Sequence, residues 1–523
     1  MKRFMRTLLS LVIICTMAFV SLGMASFAGP VSAASKPSLS KKAVTVQKGR
    51  STTIKLKNAG KKVVWKSSNS KIVKVVKKKG KYRNVATIKG MKKGKATITA
   101  KLGKKSYKCR VTVKYTKPKP EEKIEILPLS ASSENLTEKY TRTPAGNSTA
   151  DEAFCSAVTD FSVDLFRKVS AGDIAAGKSG SVLVSPDSVE TALAMLETGA
   201  AGDTLTEMES VLGGGMDHSS FSSYLGGMND RLESSKNVIF QQSNSIWVRK
   251  EWVNFNDSFN SFLKQNKDYF DSELYAAPFS DETVTDINNW VYNNTRNMIR
   301  NVINRLYEDD RMVLINTTAF EGKWEVPFGS ANDGSFTNAE GSKEKASMLN
   351  DFGHYNYFSM NGAKCFERRY KGGEISFVGI LPPEDTTVDE FVQGMSGSDF
   401  RSAWEKRSRE YVSLTMPEFK YDYGTELETI LQDMGMKKAF STAADFSEMG
   451  QTSVMADRVI HKTHIELDRN GTKAAAVTAV IAKESSMPVE SPIEIRMDRP
   501  FVYALVDTET GIPLFIGSVK TVK

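Results

Sequence analysis

The sequence predicts a multi-domain chain, in which a small all-β module precedes a larger domain of mixed helices and strands. Three observations support this prediction. Short alternating β-like runs fill the region before residue 115, apolar residues at helical spacing begin only after residue 151, and the net charge changes sign between the two regions. At 523 residues, the chain is long enough for two or three domains.

Residues 1–33 have the features of a secretory signal peptide. Lys2, Arg3 and Arg6 give a positive start, residues 8–24 are mainly apolar, and small residues at 31–34 offer a cleavage site. No later run reaches the ~18 apolar residues that a membrane-spanning helix needs. We therefore expect a secreted, extracellular protein without a transmembrane segment.

Three cysteines remain after removal of this segment: Cys109, Cys155 and Cys365. Their number and spacing predict neither a disulfide framework nor a metal cluster. Two of the three could form a disulfide bond, and the sequence does not identify which two. Stability must therefore come from core packing.

Residues 36–115 alternate between short β-like runs and turn residues, a pattern typical of a small β-sandwich. Three segments are informative: Val-Trp-Lys-Ser-Ser-Asn at 64–69, Lys-Gly-Lys-Ala-Thr-Ile-Thr-Ala at 93–100 and Val-Thr-Val at 111–113. Together they resemble the bacterial Ig-like modules of secreted and surface proteins. The resemblance implies an Ig-like sandwich at the start of the mature chain.

This module is strongly basic. Between Lys36 and Lys114 there are 27 Lys or Arg residues and no Asp or Glu, whereas residues 120–523 carry a net charge of −22. A surface charge of one sign attracts polyanions. The lysines either serve only solubility or retain the protein at an anionic cell wall or another extracellular polyanion. Nucleic acid would fit the charge equally well, but export and the lack of a recognisable nucleic-acid motif argue against it.

Residues 116–149 are rich in Pro, Glu, Ser and Thr and have no helical or strand period, which predicts a flexible linker. The second domain would then span residues 150–523. Phe154, Val158, Phe161 and Leu165 recur at helical spacing and predict a helix at its start. A capping box at Thr204-x-x-Glu207 predicts another helix start.

Residues 150–523 contain a series of short motifs: the Ser-Pro helix start at 185–186, the strand at 313–324, Met-Pro-Glu-Phe at 416–419, Val-Ile-His-Lys at 459–462, Asp-Arg-Pro-Phe at 498–501 and Leu-Phe-Ile-Gly at 514–517. In this order they resemble the motifs of the serpin family. The resemblance implies an α+β fold with three β-sheets, eight to nine helices and an exposed reactive-centre loop. It also implies a monomeric inhibitor of serine proteases that needs no cofactor.

Residues 471–482 form a strand-competent run that leads into a polar loop. At period two, one face is uncharged and carries only small or β-branched residues: Thr472, Ala474, Ala476, Thr478, Val480 and Ala482. In serpins such a hinge inserts into a sheet after a protease cuts the loop. The resemblance assigns the hinge to Gly471, Thr472, Lys473, Ala474, Ala475, Ala476, Val477 and Thr478.

The family register, counted from Gly471, places the reactive bond at Ser485–Ser486. A small residue before the cut suits elastase-like proteases. Glu484–Ser485 is the runner-up and would suit glutamate-specific enzymes. Arg469 and Lys473 occupy positions where the family often has glutamates, and Lys473 lies on the face that does not insert.

The resemblance also assigns four residues to the shutter and breach regions, where the central sheet opens: Ser185, Asn316, Trp324 and His461. A hydrogen bond between His461 and Asn316 is expected to help hold the sheet closed. Trp324 is expected near the point where the hinge first enters. His461 and His464 are three residues apart and would face opposite sides of a strand, which argues against a metal site.

An enzyme is not predicted. The chain has no Gly-x-Ser-x-Gly, no His-Glu-x-x-His and no phosphate-binding loop, and only four histidines. The alternative to an inhibitor is a non-inhibitory serpin that acts as a binding or chaperone protein. The uncharged face of the hinge favours the inhibitor.

Overall fold

The computed structural model describes residues 36–49, 51–114, 124–144, 150–253, 256–449, 454–472 and 491–523. The predicted signal peptide lies outside these residues, as do hinge residues Lys473 to Thr478 and the predicted reactive bond at Glu484, Ser485 and Ser486. The chain divides into two compact units, Met1–Lys117 and Pro118–Lys523, each with its own hydrophobic core.

The described residues of the first unit are all-β, as the sequence predicts. Its strands are β1 (Ser38–Leu39), β2 (Ala43–Gln47), β3 (Ser51–Lys57), β4 (Val64–Ser67), β5 (Val73–Lys79), β6 (Val85–Gly90), β7 (Gly94–Leu102) and β8 (Lys105–Lys114). They form two four-stranded sheets, in the orders β1-β3-β6-β5 and β2-β8-β7-β4. The buried Trp65 belongs to the core, and its indole N–H donates to the Arg83 carbonyl at 2.9 Å. That the sandwich is of the Ig-like type stays a prediction.

The second unit contains nine α-helices within its described residues. They are α1 (Glu152–Ala175), α2 (Pro186–Glu197), α3 (Gly202–Gly213), α4 (His218–Glu233), α5 (Asp257–Phe270), α6 (Asp281–Asn294), α7 (Val388–Gln393), α8 (Gly397–Glu405) and α9 (Glu428–Met434). Helix α1 begins where the apolar spacing predicts it, with Asp151 as its N-cap. The predicted capping box is wrong, because α3 already begins at Gly202. Thr204 lies within its first turn and accepts a bond from the Asp445 backbone N–H at 2.9 Å.

Within the described part of this unit, the strands form two sheets. They are β9 (Glu134–Asn135), β10 (Val182–Val184), β11 (Val238–Arg249), β12 (Glu273–Ala277), β13 (Met312–Lys323), β14 (Ser330–Thr337), β15 (Lys343–Met360), β16 (Ala363–Arg369), β17 (Ile375–Leu381), β18 (Ser408–Pro417), β19 (Phe419–Glu426), β20 (Arg458–Asp468), β21 (Gly471–Thr472), β22 (Ile493–Arg496), β23 (Phe501–Asp507) and β24 (Pro513–Val519). The central sheet has the order β19-β20-β21-β13-β11-β12-β9. The second sheet has the order β10-β24-β23-β17-β16-β15-β18-β22, and β14 pairs with β15. Strand β15 is 18 residues long, so it joins two of the three predicted sheets into one hydrogen-bonded surface.

The central sheet has a hydrophobic core on each face. Because side chains alternate along a strand, Leu314 of β13 belongs to the main core, whereas Ile315 belongs to a smaller core with Ile287 and Trp290 of α6. Ile460 of the neighbouring strand β20 belongs to the same smaller core. Helix α6 therefore covers the place where β13 meets β20.

The prediction of a flexible linker over 116–149 is wrong for residues 124–144. Within this segment β9 pairs with β12 and forms one edge of the central sheet. The Asp286 carboxylate of α6 accepts bonds from the Ser130 backbone N–H at 2.8 Å and from the Ser133 hydroxyl at 2.6 Å. Leu136 is buried in the main core. The polar composition that resembles a linker instead supplies hydrogen bonds to a helix and a sheet edge.

The three cysteines of the described residues, Cys109, Cys155 and Cys365, are free thiols. Burial raises the pKa of the Cys365 thiol, so this side chain stays protonated in the core. Within the part of the chain that the structure describes, no helix has both the length and the apolar composition needed to cross a membrane.

Candidate functional site

A seam between strands β13 and β20 lies in the middle of the central sheet. At its lower end the two strands pair directly and in parallel, from Val313 opposite Arg458 to Thr317 opposite Lys462. At its upper end the two-residue strand β21 stands between them and is antiparallel to both. Thr472 of β21 pairs with Gly322 of β13 and with Leu467 of β20. The seam is thus closed below and occupied above by Gly471 and Thr472, the first two residues of the predicted hinge.

A tight turn leads from β20 into the seam. The Asp468 carboxylate accepts bonds from the backbone N–H groups of Asn470, at 2.6 Å, and Gly471, at 3.1 Å. A Cβ atom on Gly471 would lie 1.9 Å from the Gly322 carbonyl oxygen, so only glycine allows this close approach of two backbones. The turn therefore depends on an aspartate and a glycine at fixed positions.

Arg469, which departs from the usual family residue, has a defined place in this turn. Its guanidinium donates to the carbonyls of Phe328 and Gly329, both at 2.9 Å, and its backbone N–H donates to the Glu418 carboxylate at 3.2 Å. The side chain thus joins the turn to the segment between β13 and β14. It stays outside the seam.

An aromatic cluster surrounds the upper end of the seam. Trp324 stacks on Tyr370 with ring centroids 4.4 Å apart, and Phe320 meets Tyr370 edge-on at 4.8 Å. The Trp324 indole N–H donates to the Asp468 carbonyl at 3.0 Å, and its backbone N–H donates to the Asn470 carbonyl at 2.9 Å. The tryptophan thus contacts both the turn and the sheet.

The Trp324 backbone bond and the neighbouring bond from the Phe328 N–H to the Arg469 carbonyl hold the turn against the end of β13. Tyr370 lies directly below the hinge, and its hydroxyl oxygen is 2.6 Å from the Thr472 hydroxyl oxygen. Burial raises the pKa of Tyr370, so the phenol stays protonated and can donate. Sequence reasoning missed Tyr370 and Phe320, because neither belongs to a local pattern that marks a site.

The lower end of the seam carries a polar lock of three residues from separate elements: His461 of β20, Asn316 of β13 and Ser185 at the N-cap of α2. The His461 Nε2 atom accepts the Ser185 backbone N–H at 3.0 Å, and its Nδ1 atom lies 2.6 Å from the Asn316 Oδ1 atom. A neutral imidazole that accepts at Nε2 carries its proton on Nδ1, so Nδ1 donates to Asn316. The structure brings these three predicted residues together.

Burial fixes the charge state of the lock. His461 is fully buried, and desolvation lowers its pKa from 6.5 to about 3. The Ser185 hydroxyl donates to the Leu514 carbonyl of β24 at 2.9 Å, which ties the lock to the second sheet. The neutral imidazole therefore bridges β13, β20 and α2 over the whole ordinary pH range. His464 is separate from the lock and contacts Asp422 of β19 at 2.5 Å.

Helix α2 has three buried carboxyl groups, and two of them, Asp187 and Glu190, lie in the half of the helix that follows Ser185 of the lock. Asp187 and Glu190 are fully buried, and desolvation raises the pKa of both well above the usual range. The Gln242 side chain of β11 donates to Asp187, whereas neither carboxyl oxygen of Glu190 has a hydrogen-bond partner among the described residues. The helix beneath the sheet thus carries an uncompensated acid.

This arrangement agrees with the comparisons with known proteins. A family model described as "Serpin (serine protease inhibitor)" matches residues 156–522, most of the chain. The chain belongs to the serpin family. Human alpha-1-antichymotrypsin is 30% identical over 391 residues, which cover 71% of this chain and 89% of the human protein. An uncharacterized serpin-like protein of Thermococcus kodakarensis is 29% identical over 377 residues, which cover 70% of this chain and 85% of the archaeal protein.

Solved serpin structures match the fold in two conformations. The thermophilic serpin tengpin in its native state has a TM-score of 0.69 and 32% identity, with 75% of this chain and 100% of tengpin covered. Tengpin in its latent state has a TM-score of 0.62 and 31% identity, with 72% of this chain and 100% of tengpin covered. The higher score belongs to the native state, and the direct pairing of β13 with β20 shows that the lower seam is closed here.

Proposed function

We propose that this chain is a secreted suicide inhibitor that traps a serine protease as a covalent acyl complex. The observation that carries the proposal is the position of Gly471 and Thr472 at the top of the seam, while Val313–Thr317 and Arg458–Lys462 still pair directly below. A sheet that already contains the first hinge residues can accept more of the same segment. The protein would act as an inhibitor, with no enzymatic activity of its own.

The energy of insertion is sufficient for this role. Insertion of roughly 12 residues between two strands would form on the order of 10–20 backbone hydrogen bonds, each worth about 1 kcal/mol net. Burial of side chains would add to this sum. A protease with a stability of only about 5–15 kcal/mol can be distorted by a change of that size.

The composition of the inserting face supports inhibition over simple cleavage. The Thr472 side chain is buried against Tyr370 at the top of the seam. Residues that share its face in a continued strand are Ala474, Ala476 and Thr478, all small or β-branched and uncharged. Such residues can pass into a packed sheet quickly, so the acyl-enzyme would be distorted before it hydrolyses.

We place the reactive bond at Ser485–Ser486, with Glu484–Ser485 as the runner-up. The small Ser485 suits a protease with a shallow specificity pocket, and we therefore propose an elastase-like target. Mass spectrometry of the loop after challenge with elastase would identify the bond. Cleavage only at a bond outside 484–486 would contradict this assignment.

The decisive experiment is incubation of the full chain with elastase, followed by denaturing electrophoresis. An inhibitor gives an SDS-stable complex. A clipped chain without complex would instead support the second candidate, a non-inhibitory serpin that acts as a binding or chaperone protein. The uncharged face of the hinge favours the inhibitor of these two candidates.

A pair of matched variants tests the insertion step. Ala474→Arg would place a charge on the inserting face and should convert the inhibitor into a substrate, so that the complex is replaced by clipped chain. Ala475→Arg is the control, because it adds the same charge on the opposite face. Equal complex yields from the two variants would contradict the insertion model.

A further inference from the structure

We propose that the outward face of the sheet β1-β3-β6-β5 binds a flexible, linear, phosphate-bearing polymer outside the cell. This basic face consists of six lysines: Lys55, Lys57, Lys74, Lys77, Lys79 and Lys89. The inference concerns the first unit alone and does not depend on protease inhibition.

The strand register places these lysines on one surface. In β3, Ile54 and Leu56 are buried in the core, so Lys55 and Lys57 point outward. In β5, Val73 is buried, so Lys74 points outward. The β-bulge after Val75 then brings the next outward position to Lys77, which pairs with the half-buried Thr87. Because side chains alternate between the two faces of each strand, these lysines lie on the face of the sheet that points away from the core.

The charges of the basic face are crowded and have no compensation within the unit. Lys74 lies directly opposite Lys89 in the register of β5 and β6, and like charges in this position destabilise a sheet. No Asp or Glu occurs between Lys36 and Lys114, so no carboxylate of the unit can neutralise them. A bound polyanion would relieve this repulsion, and the relief would contribute to affinity.

The other sheet of the unit is also basic, but its charges are dispersed. Its outward residues include Lys66, Lys95, Lys101 and Lys108, all exposed. In the register each faces an uncharged neighbour: Lys66 and Lys108 pair with Thr99, Lys95 pairs with Thr112, and Lys101 pairs with Val64 and Ser106. This second face has a similar charge without a directly opposed pair, so it serves as an internal control.

The side chains of the basic face favour a flexible polymer over nucleic acid. Between Lys36 and Lys114 there are 24 lysines and only three arginines. Lysine acts as a point charge and tolerates variable phosphate geometry, whereas arginine provides bidentate contacts to fixed groups. Trp65 is buried in the core, and the outward positions of β3, β5 and β6 carry no aromatic ring on which a base could stack. The described residues of the unit form only strands and their connections, so they offer no helix to enter a major groove.

Binding of the full chain to immobilised poly(glycerol phosphate) teichoic acid tests the proposal, over a range of salt concentrations and without protease. Replacement of Lys74, Lys77, Lys79 and Lys89 by Gln should weaken binding about tenfold or more and lower the slope of log K against log salt by about 3. The control variant, with Lys66, Lys95, Lys101 and Lys108 replaced by Gln, loses the same charge and should lose less than about threefold.

Three results would overturn the proposal. Equal losses in the two variants would mean that net charge alone governs binding. The absence of salt-dependent binding by the unmodified chain would exclude the polymer, and tighter binding to a short DNA duplex at equal phosphate concentration would reassign the face to nucleic acid. Thermal melting of the same variants would show that each chain is folded. Elastase complex formation, measured separately, would keep this test distinct from the test of the proposed inhibitor.

Discussion

The phenol oxygen of Tyr370 lies 2.6 Å from the hydroxyl oxygen of Thr472, and both side chains are buried. This contact fixes the first part of the predicted hinge to the end of β16, beside the ring of Trp324. Thr472 is the last described residue before the segment that we propose to insert. The first residues of the proposed inserting segment are therefore already held in the sheet of the intact chain.

Removal of this contact should weaken the native state. Tyr370→Phe leaves the buried Thr472 hydroxyl without its partner and is expected to cost about 1–2 kcal/mol. Thr472→Val should cost a similar amount, whereas the double variant should cost less than the sum, because neither group is then left alone. Urea unfolding midpoints of the three variants measure the coupling. Strictly additive effects would mean that the hydroxyls do not interact.

Because of the lock at His461, the free energy of unfolding should depend on pH below about pH 6.5. Its pKa is about 3 in the native state, below the ordinary value of 6.5, so the unfolded chain binds the proton more readily. The stability that the neutral imidazole contributes is present above about pH 6.5 and is lost towards pH 3, at about 1.4 kcal/mol per pH unit.

The variant His461→Gln isolates this contribution. Its urea midpoint should change less between pH 6.5 and about 4.5 than that of the unmodified chain, because the titrating imidazole is gone. His464→Gln is the matched control, because His464 lies outside the lock beside Asp422. The same pH slope in His461→Gln and in the unmodified chain would contradict the assignment.

Replacement of Glu190, an acid on α2 without a hydrogen-bond partner in the described part of the chain, should stabilise the fold at neutral and alkaline pH. Burial raises the pKa of Glu190 in the native state above its value in the unfolded chain. The free energy of unfolding therefore falls as pH rises through the raised pKa, because the buried carboxyl group must then ionise. Glu190→Gln removes the charge at nearly constant volume and should raise stability by about 1–3 kcal/mol at high pH. The gain should shrink in acid. Glu384→Gln, at an exposed position before α7, should have almost no effect on the thermal midpoint.

The contact between Asp286 and the segment 124–144 should control the protease resistance of that segment. Asp286→Ala removes the acceptor for Ser130 and Ser133 and is expected to cost about 1–3 kcal/mol. Limited proteolysis should then cut within 124–144 more quickly. Asp281→Ala in the first turn of the same helix is the control and should cost less than about 1 kcal/mol. An unchanged cleavage rate in Asp286→Ala would mean that other contacts hold the segment.

The sequence predicts the parts of this site that carry a recognisable order of motifs. His461, Asn316 and Ser185 lie within such motifs, and the structure brings them together. Tyr370 could not be found in this way, because its role depends on its backbone bridge to Trp324, which is distant in the sequence. The linker prediction is wrong for segment 124–144 for a related reason: its composition suits a linker, and its polar groups find partners in distant parts of the chain, among them the Asp286 carboxylate and the edge of β12.

The turn at Asp468–Gly471 determines that further residues could enter the seam only from its upper end. Strand β21 runs back along β20 from this turn, so each further residue can enter only after the one before it. The five parallel pairs between β13 and β20 would separate one after another, starting from the pair nearest the turn, Thr317 with Lys462. A side chain that cannot enter the sheet would therefore stop insertion at its own position. A series of such substitutions along the segment would give chains in which insertion stops at successive positions.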